Sequence, residues 1–296
     1  MNRIGEADRR ARPYGAAMSE LVDLSARLGS MTNLVHGFIY FAPEAAEEYD
    51  ALGLPPTHHY FASRAAALGP VPAEVVVATF FNFNPELVHP AIPAAWSIAE
   101  PAAIQTARIR AAGRVLRRVE PDVSDDDIAE ATEIAGAMVD GVGDAGRPLA
   151  AGNRATPEPE DAWERLWQRI TVLREWRGDA HVAALVSAPV DPIEALALHA
   201  ATGKVPRAAL TATRAWPDDE WTAGVSRLVA RGLLNHDETF TELGEAFRAE
   251  IERRTDVASV PLIDAVGPDR TQRLIALLKP VRRALLDGGA FAAMGR

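Results

Sequence analysis

The sequence predicts a mainly α fold: an N-terminal helical bundle followed by a compact C-terminal module of short helices. Three observations predict it. Apolar residues recur at helical spacing through most of the chain. Gly and Pro fall largely at the ends of those periodic stretches. Ala is prominent among the 48% of residues that are hydrophobic, and Ala favours helix and close helix packing.

Residues 1–17 are polar and Arg-rich without apolar period, and read as a disordered tail. An N-terminal helical domain spans 18–141. Ser19 and Glu20 open its first helix, where Leu21, Leu24, Leu28 and Met31 recur, and Pro43 stops it after Ile39. Short helices follow over Glu44–Leu52 and Tyr60–Leu68. Pro72 starts Ala73–Phe81, which is apolar all round; helix is preferred to strand there because no partner strand is visible. Glu86–His89 and Ala94–Ala99 are short helices, and Ala102–Val119 is a long amphipathic one. Ser124 with Asp127 resembles a capping box and opens a helix to about Val139.

Residues 142–159, dense in Gly, Pro and small polar groups, read as a linker. Connecting helices cover 160–191: Glu160–Trp176 carries Trp163, Trp167, Ile170 and Leu173 on one stripe, Gly178 breaks it, and His181–Val186 resumes. In 192–256 the order is helix (Pro192–Ala201), helix (Arg207–Thr213), turn, helix (Asp218–Arg231), hairpin around Leu233–Phe240, helix (Glu242–Arg254). That is a winged-helix module with a small β-wing. Residues 257–296 form a C-terminal helical segment.

Composition narrows the function. The absence of Cys excludes disulfides, thiolate metal sites and a Cys nucleophile. The N terminus lacks the apolar run of a signal peptide, and no stretch reaches the roughly 18 apolar residues of a membrane span, so a cytoplasmic chain without membrane contact is expected. Net charge is −10, and residues 178–256 hold 13 acidic against 8 basic residues. Phosphate-backbone binding wants a basic face. The third helix of the module opens on Asp218, Asp219 and Glu220, leaving Lys204, Arg207 and Arg214 as the candidates to meet phosphate. DNA is therefore an unlikely but not excluded partner. No phosphate loop, nucleophile elbow or His/Glu metal motif is present. His58 and His59 are adjacent, so they point apart on a helix. No metal and no cofactor are expected.

Polar residues embedded in apolar helices mark a candidate site, since buried polar groups need partners. His36 and Tyr40 share a helix face, as do Tyr60 and Arg64. Asn82 and Asn84 follow a buried helix. Arg174, Arg177, Asp179 and His181 cluster at the expected break. Together they suggest a small-molecule pocket, with Arg for an anionic or carbonyl group and His and Tyr for hydrogen bonding or proton transfer. The structural alternative is that Arg64 or Arg177 pairs with Asp179 and that the Asn residues cap helices.

The segments "YFASRAAALGPVPAEVVVATFFNFNPELV" and "LREWRGDAHVAAL", with the module downstream, resemble the SalK-like helix-turn-helix family of actinomycetes from about Leu34 to Thr255. The resemblance implies the architecture and a link to natural-product metabolism, but no mechanism. Three readings follow. One is a small-molecule-binding or acid–base-catalysing protein of specialised metabolism, with the winged helix as scaffold; whether it is an enzyme is left open. The second is a ligand-responsive DNA-binding regulator. The third is a structural interaction partner, with a homodimer possible.

Overall fold

The computed structural model describes residues 14–291. Residues 1–13 of the expected tail lie outside the described residues. Residues 14–17 already belong to a helix, because Ala16, Ala17 and Met18 are good helix formers that extend the periodic stretch backwards.

In chain order the helices are α1 (Tyr14–Gly37), α2 (Pro43–Ala51), α3 (Pro56–Ala65), α4 (Ala73–Phe80), α5 (Pro85–Val88), α6 (Ala94–Ile98), α7 (Pro101–Val119), α8 (Asp125–Asp140), α9 (Pro148–Arg154), α10 (Ala162–Ser187), α11 (Pro192–Ala200), α12 (Arg207–Arg214), α13 (Asp218–Ala230), α14 (Glu242–Val257), α15 (Val260–Asp264) and α16 (Pro268–Asp287). Single 3₁₀ turns, Phe38–Tyr40 and Ala66–Leu68, follow α1 and α3. Helices α2, α3, α5, α7, α9, α11 and α16 each carry Pro in the first turn, where its fixed φ suits the helix and its missing N–H costs nothing. Ser124 caps α8 by accepting from the Asp127 amide at 3.1 Å.

Two apolar clusters hold the molecule together. The larger draws on α1 through α10 and is completed by Leu274, Leu277, Leu278, Val281 and Leu285 of α16. The smaller packs Leu196, Leu210, Trp221, Leu228, Leu234 and Ile251 inside the C-terminal module. Helix α10 joins them. Its Leu166, Trp167, Ile170 and Leu173 lie in the first cluster, and its Ala184 and Leu185 lie in the second.

Three further features differ from the sequence reading, and one adds to it. Helix α10 runs unbroken through Gly178. A mid-helix Gly costs only about 1 kcal/mol, and packing of α10 against α1, α7, α8, α9 and α14 outweighs it. The expected linker contains α9, whose Leu149, Ala150 and Asn153 are buried. The C-terminal segment packs back into the main cluster.

The β-wing, finally, is reduced to one antiparallel bridge, Leu234 to Phe240, with no strand among the described residues. The reason is length. Thr241 already caps α14 by accepting from the Gly244 amide at 3.0 Å, so too few residues remain on either side of the turn to extend a ladder. Gly244 is obligatory there: a Cβ would lie 1.9 Å from the Leu233 carbonyl oxygen.

Candidate functional site

The end of α1, the inner face of α3, and facing rows of α7 and α10 bring buried polar groups together. On α10, Trp167, Thr171 and Glu175 recur every fourth residue and therefore share one face. On α7, Arg108 stands in the buried row of Ile104 and Ala112 and is itself fully buried.

Hydrogen bonds among these groups run in one direction. The Thr171 hydroxyl donates to the Trp167 carbonyl at 2.9 Å. It therefore accepts from His36 Nδ1–H at 3.0 Å. His36 Nε2 is then bare, and accepts from the Tyr40 hydroxyl at 3.0 Å. Arg108 fixes this polarity, because a guanidinium can only donate: its Nη2 reaches the Tyr40 oxygen at 2.8 Å and His36 Nε2 at 3.5 Å. The His36 ring stacks on Trp167 at 5.4 Å between centroids. Burial, then the Arg108 and Arg174 charges, hold the His36 imidazole well below its ordinary range. It is a neutral acceptor and not an acid. Burial raises the Tyr40 phenol against the pull of Arg108 and Arg64.

Beside this chain, Arg64 meets Glu175 through two bonds, Nε to Oε1 at 3.2 Å and Nη2 to Oε2 at 3.1 Å. Arg174 adds a third at 2.6 Å. Burial works to raise the Glu175 carboxyl, but Arg174 and Arg64 overcome it and hold the group ionised far below its ordinary range. Arg64 also donates to the Tyr60 hydroxyl at 3.4 Å and lies over Phe80 at 4.3 Å. Tyr60 packs 5.0 Å from Tyr40 and 5.0 Å from Phe83, and Arg214 lies over Phe83 at 4.5 Å.

Tyr40, Tyr60 and Ser63 line a cleft of about 610 Å³ together with Ala45, Ala46, Tyr49, His59 and Arg118. Arg108 is bonded to the Ser63 carbonyl at 3.2 Å.

The structure thus joins His36, Tyr40, Tyr60, Arg64 and Arg174 and places the other candidates elsewhere. Asn82 accepts from the Trp216 indole through its carbonyl at 3.0 Å. Asn84 caps α5 and donates to the Ala215 carbonyl at 2.8 Å, so both belong to a seam between the loop after α4 and the turn after α12. Arg177 crosses Gly29 of α1 to reach Asp256 at 2.8 Å and Glu252 at 3.1 Å. His181 bonds the Thr255 hydroxyl at 3.0 Å. Asp179 pairs with neither Arg64 nor Arg177, which corrects the structural alternative raised for these residues from the sequence. In an unbroken helix, residues two apart point to different sides. Asp179 instead caps α9, accepting from the Ala150 amide at 3.1 Å. Three members of the network, Arg108, Thr171 and Glu175, were absent from the sequence candidates. Their signal was the four-residue row each occupies on α7 or α10.

In the C-terminal module, α11, α12 and α13 stand in helix-turn-helix order, and a model of a helix-turn-helix family matches residues 25–292. The chain belongs to this helix-turn-helix family. No curated protein and no solved structure matches it. The helix-turn-helix arginines face inward or onto carboxylates. Arg207 pairs with Glu238 and Asp218, Arg227 with Asp191 and Glu194, and Arg231 with Glu194, while Arg214 lies against Phe83. Of the three residues expected to meet phosphate, Lys204 alone is left without a carboxylate or ring contact among the described residues. No single helix among the described residues is long and apolar enough to cross a membrane.

Proposed function

We propose that this helix-turn-helix family protein binds a small organic molecule in the cleft walled by Tyr40 and Tyr60, with the helix-turn-helix serving as scaffold. One observation carries the reading. Two cleft-lining tyrosines open onto adjacent buried polar chains, Tyr40 through His36 to Thr171 and Tyr60 through Arg64 to Glu175. A chain that needed only a core would fill this space with apolar side chains at less cost. The resemblance to the SalK-like family points the ligand toward specialised metabolism. Acid–base catalysis by His36 is disfavoured, because burial and two guanidiniums oppose its protonation.

The reading is tested by thermal-shift and calorimetric titration with aromatic acids and their neutral analogues, on the parent and on Ala46→Trp, which fills the cleft. Ligand-dependent stabilisation that vanishes in Ala46→Trp supports it. Equal stabilisation of both proteins places the ligand elsewhere.

Family membership favours a second reading, a DNA-binding regulator. The carboxylate-paired arginines and the acidic start of α13 weigh against it. Retardation of the chain's own upstream DNA at low salt, surviving excess unrelated DNA, would establish it in place of the scaffold role.

A further inference from the structure

We infer that Tyr40 and Tyr60 form a paired donor site for an anionic oxygen, a carboxylate or enolate, each phenol being polarised by a guanidinium behind it. The inference rests on the cleft being a binding site. Arg108 donates to the Tyr40 oxygen at 2.8 Å and Arg64 to the Tyr60 oxygen at 3.4 Å. A phenol that accepts from a cation is a stronger donor through its own O–H, and more so away from water.

Both protons are available. Among the described residues the Tyr60 O–H has no acceptor. The Tyr40 O–H now rests on His36 Nε2, but that nitrogen keeps Arg108 as a second donor, so the phenol can turn to a ligand without leaving it bare. The two ring centroids stand 5.0 Å apart and both residues line the same cleft, which sets the phenols side by side.

The charge around the pair has the matching sign. Arg108 and Arg64 bond the two phenols, Arg174 joins Arg64 on Glu175, and Arg214 lies over the Phe83 ring that packs on Tyr60; Glu175 is the one carboxylate paired with these four among the described residues. This surplus of positive charge sits inside a chain of net charge −10. Donors are also in surplus: Arg108 Nε and Trp167 Nε1 are buried without an acceptor.

The test uses para-nitrophenol, whose phenolate absorbs visibly, and para-nitroanisole, its neutral methyl ether. The site should lower the apparent pKa of bound nitrophenol, so that phenolate absorbance appears at lower pH with protein than without. Tyr60→Phe should weaken phenolate binding roughly ten- to hundredfold, the worth of one charge-assisted hydrogen bond, and leave nitroanisole binding unchanged. Tyr40→Phe should act in the same direction. A raised nitrophenol pKa, or equal binding of both probes unaffected by either substitution, overturns the anionic-oxygen inference and leaves the cleft as a neutral-ligand site. Failure of both probes to bind at millimolar concentration, with the parent and Tyr60→Phe equally folded by melting, overturns the inference together with the binding role.

Discussion

The arginines of the cleft and those of the helix-turn-helix module sit in opposite electrostatic settings. Around Tyr40 and Tyr60, Arg64 and Arg174 share Glu175, Arg108 leans on a carbonyl, a phenol and an imidazole, and Arg214 lies over the Phe83 ring. In the module, Arg207, Arg227 and Arg231 share Asp191, Glu194, Asp218 and Glu238. The module is electrostatically closed at the stage of folding, whereas the cleft region keeps unspent positive charge. A protein that read DNA through this module would need the reverse distribution.

The sharpest way to break this contrast is Glu175→Gln. It leaves Arg64 and Arg174 without a carboxylate in a fully buried position, and should cost about 3–5 kcal/mol. The measurement is the urea midpoint at unchanged slope. A near-zero loss would mean that solvent reaches the pair. Arg108→Met removes a cation whose partners are all neutral, so it should cost less, about 1–2 kcal/mol. A loss as large as that of Glu175→Gln would show Arg108 to be paired more tightly than its contacts indicate.

Asp179→Ala removes one helix cap and should cost about 1 kcal/mol. Arg227→Gln, on a side chain 47% exposed, should cost about 0.2–1 kcal/mol.

Asp179 and His181, two residues apart on α10, give a pH test with opposed signs. Burial raises the Asp179 carboxyl from 3.8 to about 6, so its contribution is present below 3.8 and is lost as pH rises through about 6. Burial lowers the His181 imidazole from 6.5 to about 4, so its contribution is present above 6.5 and is lost as pH falls through about 4. Over the shared window, melting temperature in Asp179→Asn should rise with pH more steeply than in the parent, and in His181→Gln less steeply. Identical slopes in all three proteins would show that neither group titrates differently on folding.

How far the site could be read in advance follows from sequence distance. Tyr60 and Arg64 are four apart on α3, and His36 and Tyr40 are four apart across the end of α1 and its 3₁₀ turn; the bonds within each pair follow from that spacing. Glu175 was hidden because a Glu between two Arg residues ordinarily faces water, although it falls in the four-residue row of Trp167 and Thr171 within the expected helix. Arg108 was hidden because Arg on an amphipathic helix ordinarily faces water, while α7 packs against both α2 and α10. The bond from Asn84 to Ala215 spans 131 residues, and no local pattern announces it. In the module, the helix order was legible from Gly, Pro and the Thr241 cap. The wing was overdrawn because apolar residues on either side of a polar turn, Leu233–Leu234 and Phe240, do not show whether room for a ladder remains.

The return of α16 to the main cluster has a consequence for synthesis. The helix-turn-helix is an insertion between α10 and α15, clamped at both ends to a body that it interrupts. Chains emerge N terminus first, and each packed unit forms only when its last part is out. The module has its full apolar set once Ile251 has emerged, whereas the larger body waits for Leu285 and Ala290. Helix α16, made after the module, is thus a wall of a body whose other helices are made before it, and a nascent chain stalled before α16 would carry a finished helix-turn-helix on an open, chaperone-attracting bundle.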